Sequence, residues 1–210
     1  MHAGVLVPYE RSLLSAEPLH LVTDDGREIR MDTSRWLAPI DDADRTVIER
    51  CRPPVLDVGC GPGRFVLALA ERGMAALGVD IAMAAVSLTR RRGGPALQRS
   101  VFDRTPGEGR WPTVLLMDDN LGIGGDPAAL LARIRTLLTG TGRVLVETHA
   151  SADVDARPTV RLRRGGELVE PAFPWAEVGV DALRRYAKET GYVVGEVWSV
   201  GGRSFALLTR

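Results

Sequence analysis

Lysine is almost absent from this chain of 210 residues: Lys188 stands alone among 27 basic residues, a bias of composition that carries no function of its own. Cysteine is nearly as scarce. Cys51 and Cys60 are too few for a disulfide framework, so a reducing, cytoplasmic setting is expected. Net charge is missing too. With 27 acids against 27 bases, no overall field draws the protein to nucleic acid or to an anionic membrane. No apolar run approaches membrane-spanning length, and the first residues show no signal-like apolar core. Aromatic residues make up only 5%, leaving little to interleave with Arg90-Arg91-Arg92 as a nucleic-acid surface. What remains is an ordinary apolar fraction of 45% in a chain long enough to bury a sizeable core.

Glycine is plentiful, and its placement is informative. Residues 54–63 read Pro-Val-Leu-Asp-Val-Gly-Cys-Gly-Pro-Gly, and the helical pattern Arg64-Phe65-Val66-Leu67-Ala68-Leu69-Ala70-Glu71-Arg72 follows. That is a buried strand, a tight turn and a helix start. The three alternate glycines tolerate positive φ and let a ligand lie against the backbone, beside the unpaired N–H groups of a helix N-terminus. A dinucleotide fingerprint would place its third glycine at position 64, which is Arg64.

Strand and helix patterns alternate through the middle of the chain. Strands are predicted at 55–58, 76–80, near 96–102, 113–117 and 143–148, with helices over 63–72, about 82–92 and from Asp126-Pro127 to about Leu138, the last stopped by Gly140 and Gly142. This rhythm predicts an α/β fold with a doubly wound parallel sheet and right-handed crossovers. Residues 1–40 read as irregular, broken by Pro8, Pro18 and Pro39, with a short strand at Glu28–Met31. A helix capped by Asp41 or Asp42 covers about 43–51. After 150 the pattern gives a hairpin over 160–169 around Arg164-Gly165-Gly166, a loop at Phe173-Pro174-Trp175, a helix at about 181–190 and two closing strands, 192–198 and 204–208.

Hydrophobic-Asp-x-Gly-x-Gly-x-Gly at 56–63 resembles motif I of the class I S-adenosylmethionine-dependent methyltransferases. The resemblance implies a seven-stranded, mostly parallel sheet with an antiparallel last strand, the Rossmann-like methyltransferase fold. It also implies S-adenosylmethionine as cofactor and S-adenosylhomocysteine as product. By position it assigns the cofactor to Asp57, Gly59, Cys60, Gly61 and Gly63 at the first turn, and to Asp80 and Ile81, where a carboxylate accepts the ribose hydroxyls. Phe102 and Asp103 follow at the adenine, and Asp119 and Asn120 near the methionine amino group. Asp80 alone suits a dinucleotide equally well, so an NAD(P)-dependent oxidoreductase is a rival. Asp118 and Asp119 side by side suit an ammonium and a sulfonium better than a pyrophosphate. A non-catalytic S-adenosylmethionine-binding scaffold or sensor is the second rival.

The expected reaction is in-line methyl transfer to a small-molecule acceptor, helped by alignment and exclusion of water. The chain has no Asn-Pro-Pro-Tyr type motif, which lowers methylation of DNA bases or protein glutamine. No metal is expected. His149, at the end of the strand 143–148, is the candidate general base; its rival role is packing or bonding a backbone carbonyl. Tyr9, Trp36 and Trp175 are candidate substrate residues, and Tyr9-Glu10-Arg11 a candidate lid. The whole chain is read as one domain, with 1–40 as a cap and 151–180 as an inserted hairpin and loop near the substrate. Arg161, Arg163 and Arg164 are expected on a solvated face.

Overall fold

The structure is a computed structural model describing residues 9–13, 19–164 and 166–210, without the side chains at 164 and 170. Pro8, Pro18, Gly165 and the Arg164 side chain lie outside the described residues. In chain order, residues 9–13 are helical (α1), followed by β1 (Leu19–Thr23), β2 (Glu28–Met31), α2 (Thr33–Leu37), α3 (Asp42–Ile48), β3 (Val55–Val58), α4 (Arg64–Glu71), β4 (Ala76–Asp80), α5 (Met83–Arg91), β5 (Ala96–Gln98) and β6 (Trp111–Leu116). A 3-10 turn (Asn120–Gly125), α6 (Pro127–Leu137), β7 (Leu138–Thr148), β8 (Asp155–Ala156), β9 (Thr159–Arg164), β10 (Glu167–Pro174), β11 (Glu177–Val178), α7 (Val180–Glu189), β12 (Val193–Val200) and β13 (Arg203–Thr209) complete it.

The main sheet has seven strands in the order β12-β13-β7-β6-β3-β4-β5. The five strands β7-β6-β3-β4-β5 run parallel, and β13 joins β7 antiparallel with β12 outside it. This is the expected sheet. Its central strands are apolar on both faces because helices cover both. Leu56, Val114, Leu116, Val144 and Val146 pack with α6 and α7, while Val55, Leu115, Leu145 and Phe205 pack with α3 and α4. Strand order reverses between β3 and β6, so the carboxyl ends of these strands flank the crevice where open α/β sheets hold ligands.

The helix starts follow local chemistry. Asp41 accepts the Asp44 N–H at 2.7 Å and Asp44 accepts the Asp41 N–H at 3.1 Å, a reciprocal cap for α3. Asp126 accepts the Ala129 N–H at 3.0 Å, with Pro127 in the first turn of α6.

Four features differ from the sequence expectation. Gly140 and Gly142 do not stop a helix; α6 passes straight into β7, because Leu138 is buried and pairs with Trp111 before either glycine is reached. β5 ends at Gln98, and residues 100–103 turn, with the Ser100 hydroxyl accepting the Phe102 N–H at 3.2 Å. Residues 19–37 are not irregular. β1 and β2 form a hairpin that joins β9 and β10 in a second, antiparallel sheet of order β10-β9-β1-β2. β1 was missed because its partner β9 lies far along the chain, and Leu19 and Leu21 read as a strand only once that partner is present. Phe173 and Pro174, expected in a loop, close β10. The outer face of this sheet carries Arg161, 3.0 Å from Asp24, and Arg163, ion-paired with Glu28.

Leu145 is fully buried in the central strand β7. Leu145→Ala is expected to cost about 2–5 kcal/mol in urea unfolding, whereas truncating exposed Val193 to Ala stays within about 0.5 kcal/mol.

Candidate active site

The glycine turn is built from both sides. Gly63 has φ 87° and opens α4, and a Cβ there would lie 2.5 Å from Thr89 Cγ2, so only glycine lets α5 pack this close. Gly59 has φ 70°, and a Cβ there would meet the Asn120 amide at 2.6 Å. Asn120 Nδ2 donates to the carbonyls of Val58 (2.9 Å) and Gly59 (3.0 Å), bracing the turn from the end of β6. The turn's own N–H groups are already used. Those of Gly59 and Cys60 reach Val79 O at 2.8 and 3.1 Å, that of Gly61 reaches Asp80 Oδ2 at 2.9 Å, and that of Gly63 reaches Cys60 O at 3.0 Å. Between 59 and 63 no backbone donor is left open, and the unpaired N–H groups expected of the helix start are those of the first turn of α4, beyond Gly63.

Behind the turn lies a buried charge network. Arg64, the first residue of α4, is ion-paired with Asp44, and its other amine sits 2.6 and 2.8 Å from the Asp118 carboxylate oxygens. Arg35 reaches Asp118 at 2.5 Å. Arg203 on β13 donates to Glu147 and to Asp44, each at 2.8 Å. Glu147 in turn accepts the Asp118 N–H at 2.9 Å. Burial alone would raise the Asp44 and Glu147 carboxyls, but Arg64 and Arg203 hold Asp44 down, and Arg203 holds Glu147 down, below the usual range. Asp118 and Asp119 both have positive φ, 52° and 63°, which Asp tolerates better than most residues.

In front of the network opens a cavity of about 760 Å³, within the size range of small-molecule sites. Asp57, Gly59, Cys60, Gly61, Asp80, Ile81, Phe102, Asp103, Asn120, Tyr9, Trp36 and Trp175 all line it, as the sequence reading expected of a single site. Asp80 is buried, with Oδ1 accepting the Ala82 N–H at 2.8 Å beside the Gly61 contact, and burial pushes its carboxyl up to about 6. Asp57 accepts no side-chain or backbone hydrogen bond among the described residues, and burial, with Asp118 nearby, pushes it up to about 7. Tyr9 packs edge-on against Trp36 at 5.9 Å, and Glu10 accepts the Ala84 N–H at 3.1 Å, at the start of α5.

Three expected residues stand off the wall. Gly63 serves helix packing, as described. Asp119 stands off the cavity wall, although burial, with Glu147 and Asp118 nearby, pushes its carboxyl up to about 6; its neighbour Asp118 lines the cavity and is already matched by Arg64 and Arg35. On the cavity wall, Asp57, Asp80 and Asp103 stand outside any ion pair among the described residues, with Arg64 near enough to Asp57 to lower it in part. His149 is also off the wall, and its Nδ1 accepts the Ser151 N–H at 3.1 Å. Its place at the strand end comes from backbone pairing with Val178, at 2.8 Å. Among the described residues, no group of three or more His, Cys, Asp or Glu is arranged to hold a metal ion.

Residues 31–197 match the family model described as a methyltransferase domain, well over half of the chain. The chain belongs to the methyltransferase domain family. The methyltransferase also superposes on solved relatives. A SAM-dependent methyltransferase from Bacteroides fragilis, in complex with S-adenosyl-L-homocysteine, matches at TM-score 0.82 and 20% identity, over 100% of this chain and 97% of that one. The 1,6-didemethyltoxoflavin-N1-methyltransferase of Burkholderia thailandensis matches at 0.56 and 19%, over 74% and 70%. CalS10 from Micromonospora echinaspora, an amino pentose methyltransferase, matches at 0.58 and 18%, over 84% and 94%. At these identities the likeness establishes the fold, and the family sets the dinucleotide rival aside.

Sequence reasoning missed Arg35, Arg203 and Glu147, and it used Arg64 only as a departure from a dinucleotide pattern. Nothing in the chain flags their meeting, since α2, α4, β7 and β13 are brought together only by the fold. The apolar wall from Leu19, Leu21 and Leu162 was missed with β1 itself.

Asp57 makes stability fall with pH. Its folded carboxyl holds a proton up to about pH 7, while the unfolded one releases it near the ordinary 3.8, so the contribution is complete below about pH 4 and lost as pH rises through about 7. Urea midpoints of the methyltransferase, compared with Asp57→Asn across this range, are expected to fall more steeply in the native sequence, the variant keeping the smaller loss from Asp80.

Proposed function

We propose that this chain transfers the methyl group of S-adenosylmethionine to a small-molecule acceptor and releases S-adenosylhomocysteine. The observation that carries the reading is the pair Asp57 and Asp80: two buried carboxyls on the cavity wall, both pushed upward and neither in an ion pair, with Arg64 drawing Asp57 only partly back down. A positively charged nucleoside relieves that penalty, and a pyrophosphate worsens it. S-adenosylmethionine, when bound, supplies a methyl carbon already activated by the sulfonium.

The chain's residues then have positioning work. Asp80 spends two lone pairs on Gly61 and Ala82 and keeps others for ribose hydroxyls. Phe102, at the cavity mouth, and Asp103 are placed for the adenine, with Ile81 beside Asp80. Asp57 faces the amino-acid end, with Gly59, Gly61 and Cys60 shaping the floor and Asn120 holding the turn. Tyr9, Trp36 and Trp175 close the acceptor side and exclude water. The chain is read as one domain, with the 1–40 cap and the 151–180 insertion meeting in the second sheet. The Burkholderia and Micromonospora relatives, by their names, act on small molecules, which supports a small acceptor here. Unpaired thiols at Cys51 and Cys60 support a cytoplasmic setting. Among the described residues no helix is long and apolar enough to cross a membrane.

Calorimetry is expected to show S-adenosylhomocysteine binding and no NAD+ binding; the reverse overturns the proposal. Asp80→Ala is expected to weaken S-adenosylhomocysteine by about 1–3 kcal/mol, and unchanged affinity removes Asp80 from the site. Binding without S-adenosylhomocysteine formation from any acceptor would instead favour the sensor reading. His149→Ala is expected to leave both binding and turnover near the native level, measured by S-adenosylhomocysteine release; a loss confined to turnover would restore the base role.

A further inference from the structure

The side of the cavity facing away from the strand ends has a chemistry of its own. Its roof is the second sheet, where Leu19 lies opposite Met31 and Leu21 opposite Leu162. All four line the cavity, joined by Phe173 and Trp175 from the β10 end. Such same-face cross-strand pairs make a continuous paving. Leu19, Leu21 and Leu162 are each at most 4% exposed, so the roof is tightly packed. The sheet is amphipathic in register: its opposite face carries Arg161 and Arg163 with their carboxylate partners.

No roof residue on the cavity wall carries a carboxylate, an imidazole or an amine. The wall's carboxylates are on the strand-end side, where Asp80 is bonded to Gly61 and Ala82, and Asp118 to Arg64 and Arg35. Trp36 and Tyr9 close the flank as an edge-to-face pair, and Phe173 and Trp175 make another at 6.5 Å. A polyhydroxylated or cationic acceptor brought under this roof surrenders its water contacts and finds few in return. A flat apolar ring loses little and gains aromatic edges and methyl groups on several sides.

We propose that the methyl acceptor is a flat, mainly apolar ring compound, seated under the β10-β9-β1-β2 roof with its nucleophilic atom toward the strand ends. This rests on the reading of the site as a methyltransferase. The acceptor's lone pair forms the bond to the methyl carbon, the C–S pair stays on sulfur as a neutral thioether, and any proton on the acceptor is lost to bulk solvent as the methylated product leaves, since the roof offers no base. Specificity then resides in Leu21, Leu162 and Phe173.

The test titrates 2-naphthol and glucosamine into the protein, with and without S-adenosylhomocysteine, by calorimetry. Saturable 2-naphthol binding, at least tenfold tighter than glucosamine, is expected. Leu162→Asp is expected to weaken 2-naphthol at least tenfold while S-adenosylhomocysteine affinity stays within twofold. Comparable or tighter glucosamine binding overturns the inference, as does 2-naphthol affinity unchanged in folded Leu162→Asp and Phe173→Ala proteins. If Leu162→Asp fails to fold, the preference of the native protein decides alone. S-adenosylhomocysteine failing to bind while 2-naphthol still does would sink the methyltransferase reading and leave the apolar chamber standing.

Discussion

The guanidinium of Arg64 sits buried between two carboxylates, and the site is arranged around that charge. Asp44 comes from α3 and Asp118 from the end of β6, so a single side chain ties the first turn of α4 to elements on both sides of it. Burying charges is expensive, and removing one partner of such a set costs about 3–5 kcal/mol because the other is left uncompensated. The network is shared rather than pairwise. Arg203 also holds Asp44 and carries the connection to Glu147, and Arg35 brings α2 into it. The glycine turn, the cap segment and the antiparallel end of the sheet are therefore held in one electrostatic frame.

That frame divides the acids of the site into two groups. Asp44, Asp118 and Glu147 face arginines and serve the structure. Asp57 and Asp80 face the cavity outside any ion pair, and burial leaves them protonated more readily than an ordinary carboxyl. A cavity wall with buried acids outside any ion pair suits a cationic nucleoside. The opposite wall is apolar. The two walls come from different sheets, and this separates the chemistry of holding a methyl donor from that of choosing an acceptor.

Much of this was legible in residue order. The β-branched strands with acids at their ends, the helix caps at Asp41 and Asp126, and the three glycines at 59, 61 and 63 are local signals, and each reappears in place. Asp57, Asp80, Phe102, Asp103 and Asn120 come together because strand ends in a parallel sheet share one edge. The failures have a common cause. Gly140 and Gly142 looked like a helix stop because local propensity took no account of Leu138 being pulled into the core beside Trp111. Sequence spacing does not say which of two adjacent acids lines the cavity, and in the structure that one is Asp118.

The sequence by itself determined the alternation of elements, the glycine turn and the set of strand-end acids, since periodicity, φ preference and capping act over a few residues. Only the tertiary structure decided which acids would be neutralised, where His149 would point its ring nitrogen, and that residues 19–31 and 159–174 would meet as a roof. Those outcomes depend on pairing between segments far apart in the chain, and the energy of a buried ion pair or a cross-strand contact exists only after the partners are brought together.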